Sequence, residues 1–142
     1  MKGKSGFSLM EMMTVLAIIS ILTAIATPNV LKWAATQQFN SAVREIQATI
    51  QSMRLAAVKE NSEAVITFTN GANSYQTDQW KRGSDTRKVR TVDLPAGVSI
   101  SPNFVLRFNS RGMATPGTIT ITGASGESLD ITVSPTGSSR IG

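Results

Sequence analysis

The hydrophobic and polar positions of this chain change period twice. From Phe7 to Ala26 the residues run FSLMEMMTVLAIISILTAIA, apolar around the whole circumference of a helix except for hydroxyls and Glu11. At about 1.5 Å per residue such a run spans roughly 30 Å of hydrocarbon. Thr27-Pro28 closes it. Beyond Pro28, Phe39, Val43, Ile46, Ile50, Met53 and Ala57 recur at spacings of four and three, a single helical stripe. Gln38, Asn40, Arg44, Glu45, Gln47, Gln51, Arg54 and Lys59 fall between them and suit a solvated face. The stripe predicts a core-facing surface. One helix from Phe7 to near Glu60 would be roughly 80 Å long. Pro28 lacks a backbone donor and crowds the carbonyl of Ala24, which predicts a bend or local melting there. Asn61-Ser62 ends the helix.

From Ala64 the period becomes two. Ala64, Ile66 and Phe68 share one face of a strand, Asn70-Gly71 is a turn signal, and Ser74 to Trp80 returns as a hairpin partner. A basic stretch, Lys81 to Arg90, leads into a strand around Val89 to Leu94, and Pro95-Ala96-Gly97 turns the chain. Phe104, Leu106 and Phe108 alternate with polar or smaller neighbours. Ile119 and Ile121, then Leu129, Ile131 and Val133, form two more alternating sets. The fold class is α+β: one long N-terminal helix followed by about six or seven short, mostly antiparallel strands.

Composition changes this picture in one respect. The 142 residues have a mean hydropathy of +0.01, which is the average of two unlike parts. Residues 7–28 contain one charge, Glu11, and the polar remainder carries most of the others. There is no His and no Cys, which excludes Cys or His zinc sites, cysteine nucleophiles, Ser-His-Asp triads and disulfides. Asp78, Asp85, Asp93, Glu127 and Asp130 form no recognisable catalytic pair, and the domain after the helix has little room for a glycosidase cleft. No enzyme activity and no cofactor is expected.

The first six residues, MKGKSG, are basic and glycine-bearing. A secretory signal places its cleavage site after a shorter apolar core. Here the attractive processing point, Gly6-Phe7, precedes the apolar run, so cleavage would leave that run on the mature chain. Lys2 and Lys4 would hold the N-terminus in the cytoplasm and the rest would be translocated. A carboxylate within a membrane segment costs several kcal/mol and is usually paired or functional. Glu11 either reaches headgroups from near the helix end or meets a cation on a neighbouring subunit, and the new amine at Phe7 is the obvious cation.

KGKSGFSLMEMMTVLAIISILTAIATP resembles the class III signal of type IV pilins and type II secretion pseudopilins: Gly6 before the cut, aromatic Phe7 after it, Glu11 fifth and Pro28 twenty-second in the mature chain. The resemblance implies that a prepilin peptidase cuts Gly6-Phe7 and methylates the Phe7 amine. It also implies that Glu11 helps subunits enter a helical filament by neutralising a neighbour's Phe7 amine. Met53-Arg54-Leu55-Ala56-Ala57 leading into Ala64-Val65-Ile66 is similar to the minor subunits called GspH/FimT. So are Phe108-Asn109-Ser110-Arg111-Gly112, Ile131-Thr132-Val133-Ser134 and the final Gly137 to Arg140.

This implies a pilin fold with a small β-sandwich-like domain against the helix, divided as leader 1–6, transmembrane and filament-core helix 7–28, amphipathic half 29–62 and periplasmic β-domain 63–142. It implies a minor pilin or pseudopilin that initiates, caps or decorates a type IV pilus or a type II secretion pseudopilus. The subunit would be held in the bacterial inner membrane before assembly. Its partners would be other pilin subunits, the prepilin peptidase, the inner-membrane assembly platform and membrane lipid. The chain departs from the pattern in three places, one of them the C-terminal disulfide loop of many type IV pilins, which a chain without cysteine cannot form. Gly137-Ser138-Ser139-Arg140 has one of the two arginines of the Gly-Arg-x-Arg element that FimT-like proteins link to DNA binding. Only Glu127 and Asp130 stand where major pseudopilins carry an acidic calcium loop, so no metal is expected.

Two rival readings remain, a major pilin and a pilus-associated DNA receptor for natural transformation. Lys81, Arg82, Arg87, Lys88 and Arg90, with Trp80 and Tyr75 nearby, are the candidate DNA-binding set, to which Arg140, Arg107 and Arg111 could add. The other reading of the stretch is a solvated loop and edge strand, where lysines discourage pairing. The charge of +5 and pI near 10.1 favour polyanions weakly. Loss of Lys2 and Lys4 would lower the balance to +3, from 12 basic and 9 acidic side chains.

Overall fold

A computed structural model describes residues 7–83 and 86–142. The chain divides into two compact units, Met1–Ala34 and Ala35–Gly142. A single helix, α1 (Leu9–Glu60), runs from the first into the second. Of the bend or local melting expected at Pro28, the melting does not occur: helical structure continues through the imide. One missing donor costs about 3 kcal/mol in a helix interior, but it removes a single bond from a 52-residue element. Where water is absent, helical bonding is also the available way to satisfy the flanking peptide groups. The other end is a clean stop. Asn61 adopts φ 48°, its N–H reaches the Val58 carbonyl, and the Ser62 N–H reaches that of Ala57. These two bonds make a Schellman cap with asparagine in the left-handed position.

The described residues of the second unit form eight strands. Sheet 1 has the order β3 (Arg87–Asp93), β2 (Ser74–Trp80), β1 (Ala64–Phe68), β5 (Phe104–Phe108). Sheet 2 has the order β4 (Ser99–Ser101), β6 (Gly117–Thr122), β7 (Ser128–Val133), β8 (Ser139–Ile141). All pairings are antiparallel. The expected hairpin forms in the register Ala64↔Gln79 to Phe68↔Tyr75. Two elements were not foreseen, β4 and β8. Each is three residues long, too short for alternation to register. β3 begins two residues before the expected Val89, which moves Arg87 and Lys88 from loop to strand.

One core joins the helix to both sheets. The stripe buries as expected, with Ala42 added to Phe39, Val43, Ile46, Ile50, Met53 and Ala57. Ile66, Phe68, Leu106 and Phe108 come from sheet 1 and Ile119, Ile121, Ile131 and Val133 from sheet 2. Each such side chain contributes about 1.5–3 kcal/mol on burial, and helix burial of this kind, more than intrinsic propensity, holds a helix in place. Polar ties lie around the core. Thr36 donates to Glu127 Oε1 at 2.7 Å, Gln51 to Ser139 at 2.8 Å, and Arg54 Nε to the Gly112 carbonyl at 3.0 Å.

Tyr75 is the one buried aromatic with an ionisable group. Its hydroxyl lies 3.0 Å from Thr49 Oγ1. Burial pushes its pKa above the usual 10, with the Glu45 carboxylate adding to the rise and the Thr49 bond opposing it. The unfolded chain therefore loses this proton first as pH rises. The neutral phenol's contribution is complete below pH of about 10 and is lost as pH climbs through the folded value. Thermal melts should show a destabilisation that begins near pH 10 and is reduced in Tyr75→Phe. At neutral pH the variant should cost about 1 kcal/mol for the lost hydrogen bond. An unchanged alkaline slope in the variant would contradict the assignment.

Candidate assembly segment and basic edge strand

The first unit presents an apolar cylinder. None of the most apolar 18-residue window of α1 is buried within the molecule, and by length and composition that helix can cross a membrane. Its exposed side chains include Leu9, Met13, Leu16, Ile21, Leu22 and Ile25. A helix apolar on all sides needs a hydrocarbon or protein environment around it. The hydroxyls fit that environment too. Thr14, Ser20, Thr23 and Thr27 each bond the carbonyl four residues earlier, at 2.7–2.9 Å. This is the local pattern open to Ser and Thr in a helix, and it gives these four hydroxyl donors a partner within the helix.

Glu11 stands apart. It lies in the first turn of α1, where the helix dipole favours a carboxylate, and it is exposed. The ion pairs among the described residues are Arg87–Asp78 and Arg107–Glu63, so Glu11 has no cation there. Phe7 is 75% exposed just before the helix. Gly6, Lys2 and Lys4 lie outside the described residues, so the processing point itself is described only on its Phe7 side.

The basic stretch becomes a short connection and an edge strand. Lys81 and Arg82 follow β2 and are exposed, and the Arg82 N–H donates to Glu60 Oε2 at 3.0 Å. β3 then divides the remaining cations between two faces. Arg87 lies on the outer face of sheet 1, paired with Asp78 and stacked 5.2 Å from the Trp80 ring centroid. Lys88 and Arg90 lie on the opposite face, beside Ser52 and Met53 of α1 and Thr77 and Gln79 of β2, around a cleft of about 240 Å³. The other arginines do not join them. Arg107 is on β5, at the far edge of sheet 1, and pairs with Glu63 at 3.0 Å. Arg111 is in the turn after β5, and Arg140 is on β8 of sheet 2. Asp85 lies outside the described residues.

Some of these roles were invisible along the chain. Arg54 reads as one more solvated residue between stripe positions, yet it ties α1 to the Gly112 turn. Asp78 lies nine residues from Arg87 and meets it only because β2 and β3 pair in register, Asp78 opposite Val89 and Trp80 opposite Arg87.

Comparison with known proteins agrees with this geometry. The family described as type II transport protein GspH matches residues 42–137, and the prokaryotic N-terminal methylation motif matches residues 1–27. Two Pseudomonas aeruginosa sequences named fimbrial protein are 39% identical over 75 residues, 53% of this chain and 48% of theirs. The chain thus matches about half the length of those relatives. Among solved structures, the type IV minor pilin FimU of P. aeruginosa aligns with a TM-score of 0.61 and 18% identity, over 78% of this chain and 92% of FimU. The minor pseudopilin EpsH of the Vibrio cholerae type 2 secretion system aligns with a TM-score of 0.54 and 16% identity, over 75% and 94%. These two likenesses concern the fold, an N-terminal helix packed on antiparallel sheets.

Proposed function

Because this chain belongs to the family of the type II transport protein GspH, we propose that it works as a minor pilin or pseudopilin, a structural subunit of a type IV pilus or type II secretion pseudopilus. The observation that carries this reading is the exposed apolar half of α1 with one carboxylate near its start, continuous with a half whose apolar stripe is buried under two sheets. In this reading residues 1–6 are a leader removed by a prepilin peptidase, which cuts Gly6-Phe7 and methylates the Phe7 amine. Residues 7–28 anchor the subunit in inner-membrane lipid and later pack in the filament core. The amphipathic half 29–62 holds the β-domain 63–142 on the periplasmic side, where it meets other subunits and the assembly platform. Pro28, inside the helix, marks the end of the core segment. The DNA-receptor alternative rests on the basic stretch, whose Arg87 already has a carboxylate and whose other strand cations face the opposite side.

Intact mass of the chain extracted from membranes tests the reading directly. The expected N-terminus is Phe7 carrying one methyl group. A chain still beginning at Met1 would overturn the proposal.

A further inference from the structure

Sheet 1 ends on β3 with a hydrogen-bonding edge that has no partner among the described residues. Six of its seven residues are exposed, and β2 is its one neighbour in the sheet. The direction of its peptide groups follows from the register. The Leu94 N–H donates to the Asn73 carbonyl at 2.7 Å, one step beyond the pair Ser74↔Asp93. In an antiparallel ladder hydrogen-bonded pairs alternate. Val92, Arg90 and Lys88 therefore direct their N–H and C=O groups at β2. Asp93, Thr91, Val89 and Arg87 direct theirs away from the sheet.

The side chains say what such an edge would accept. Arg87 is committed to Asp78 and Trp80 on the outer face. On the helix side Lys88 and Arg90, two residues apart, have no carboxylate partner among the described residues. Both line the 240 Å³ cleft against α1. Lys88 also borders a second cleft of about 470 Å³ with Glu60, Trp80 and Lys81. A strand laid along β3 would thus find room beneath it for alternate side chains, and two cations facing that room.

We propose that β3 is a docking edge for an extended acidic segment of another protein, which adds to sheet 1 as a fifth strand with alternate carboxylates opposite Lys88 and Arg90. Main-chain bonds to Val89 and Thr91 provide the pairing, and the two cations select the sequence, as in other strand-addition sites. Opposite charges across a ladder are favourable and like charges unfavourable. A second copy of this chain is a poor occupant, because its central antiparallel registers set Lys88 opposite Arg90 or Arg90 opposite itself. Lysines on an edge block indiscriminate pairing, and here the same charges admit one class of partner. The inference holds whether or not the chain enters a filament.

The test uses the detergent-solubilised full chain and fluorescent seven-residue peptides that alternate valine with glutamate or valine with lysine. The glutamate peptide should bind at least tenfold more tightly than the lysine peptide and slow exchange of the Val89 and Thr91 amides at least tenfold. Val89→Pro removes an outward N–H without touching the bonds to β2, a position where an edge strand tolerates proline, and should weaken binding tenfold or more. The double variant Lys88→Glu, Arg90→Glu should reverse the preference between peptides, and this decides the matter if the proline variant does not fold. Absence of binding, equal binding of the two peptides, or binding unchanged by both sets of substitutions would overturn the proposal. So would protection of the same amides by a short DNA duplex at low salt but not by the glutamate peptide.

Discussion

Glu11→Ala should be processed and inserted normally yet enter filaments at least tenfold less often than the unaltered chain. The reasoning begins with the cost of the carboxylate. A carboxylate at the centre of a membrane helix costs about 2.5–3.5 kcal/mol on insertion scales and less near an end. Removing it makes insertion easier, so a membrane-anchored pool should persist. Within one chain nothing compensates beyond the helix dipole, worth about 0.3–1 kcal/mol in the first turn, because Glu11 has no cation among the described residues. In a filament core the proposed partner is the Phe7 amine of a neighbour. Removing one member of a buried ion pair costs about 3–5 kcal/mol, since the other charge stays buried and unpaired. Each 1.4 kcal/mol is about a factor of ten, so even half of that cost leaves a large deficit. The measurement is the ratio of the chain in sheared filaments to the chain in membranes. Glu11→Gln keeps the shape but not the charge and should fail nearly as badly. Normal incorporation of both variants would remove the pairing role.

The elements legible in the sequence were those whose burial imposes a strict period. The stripe from Phe39 to Ala57 and the alternation of Ala64, Ile66 and Phe68 each carry enough buried positions to fix both type and facing. β4 and β8 each add three residues to an existing sheet, and their signal lies in pairing rather than in their own composition. The division of the basic stretch had the same origin. Lysines and arginines that are neighbours in a loop share a surface, but neighbours in a strand point to opposite faces. Starting β3 at Arg87 instead of Val89 therefore separated Arg87 from Lys88. The apolar segment was the reverse case. Its period is absent because all of its faces are alike, and this uniformity marked it as a segment that buries itself outside its own domain.

The largest expected loss of stability belongs to a residue with no side chain, Gly137. It sits in the turn between β7 and β8 at φ 78°, and its N–H bonds the Ser134 carbonyl at 2.9 Å. A methyl group there would run into the carbonyl oxygen of Gly112 and come within 2.7 Å of Arg54 Nε. That nitrogen already donates to the same Gly112 oxygen at 3.0 Å. The two turns and the arginine are thus packed backbone to backbone, joining α1 to segments on both sides of β6 and β7. Alanine at φ above zero costs about 1–2 kcal/mol. Forcing carbon into a filled space adds about 1–3 kcal/mol, and displacing Arg54 forfeits a charged hydrogen bond worth about 1.5–3 kcal/mol. Gly137→Ala should therefore lose about 3 kcal/mol or more, a fall in Tm of at least about 10 °C for a unit of this size. Gly126 provides the control. Its φ is 85° and nothing lies within 4 Å of the place a Cβ would take, so Gly126→Ala should pay the backbone cost of about 1–2 kcal/mol alone. Circular-dichroism melts of the two variants separate strain from packing. A further melt of Arg54→Ala with Gly137→Ala should show less than additive loss, because the first change vacates part of the space the second needs. Equal melting of Gly137→Ala and Gly126→Ala would mean that the close approach of the two turns does not carry the stability assigned to it.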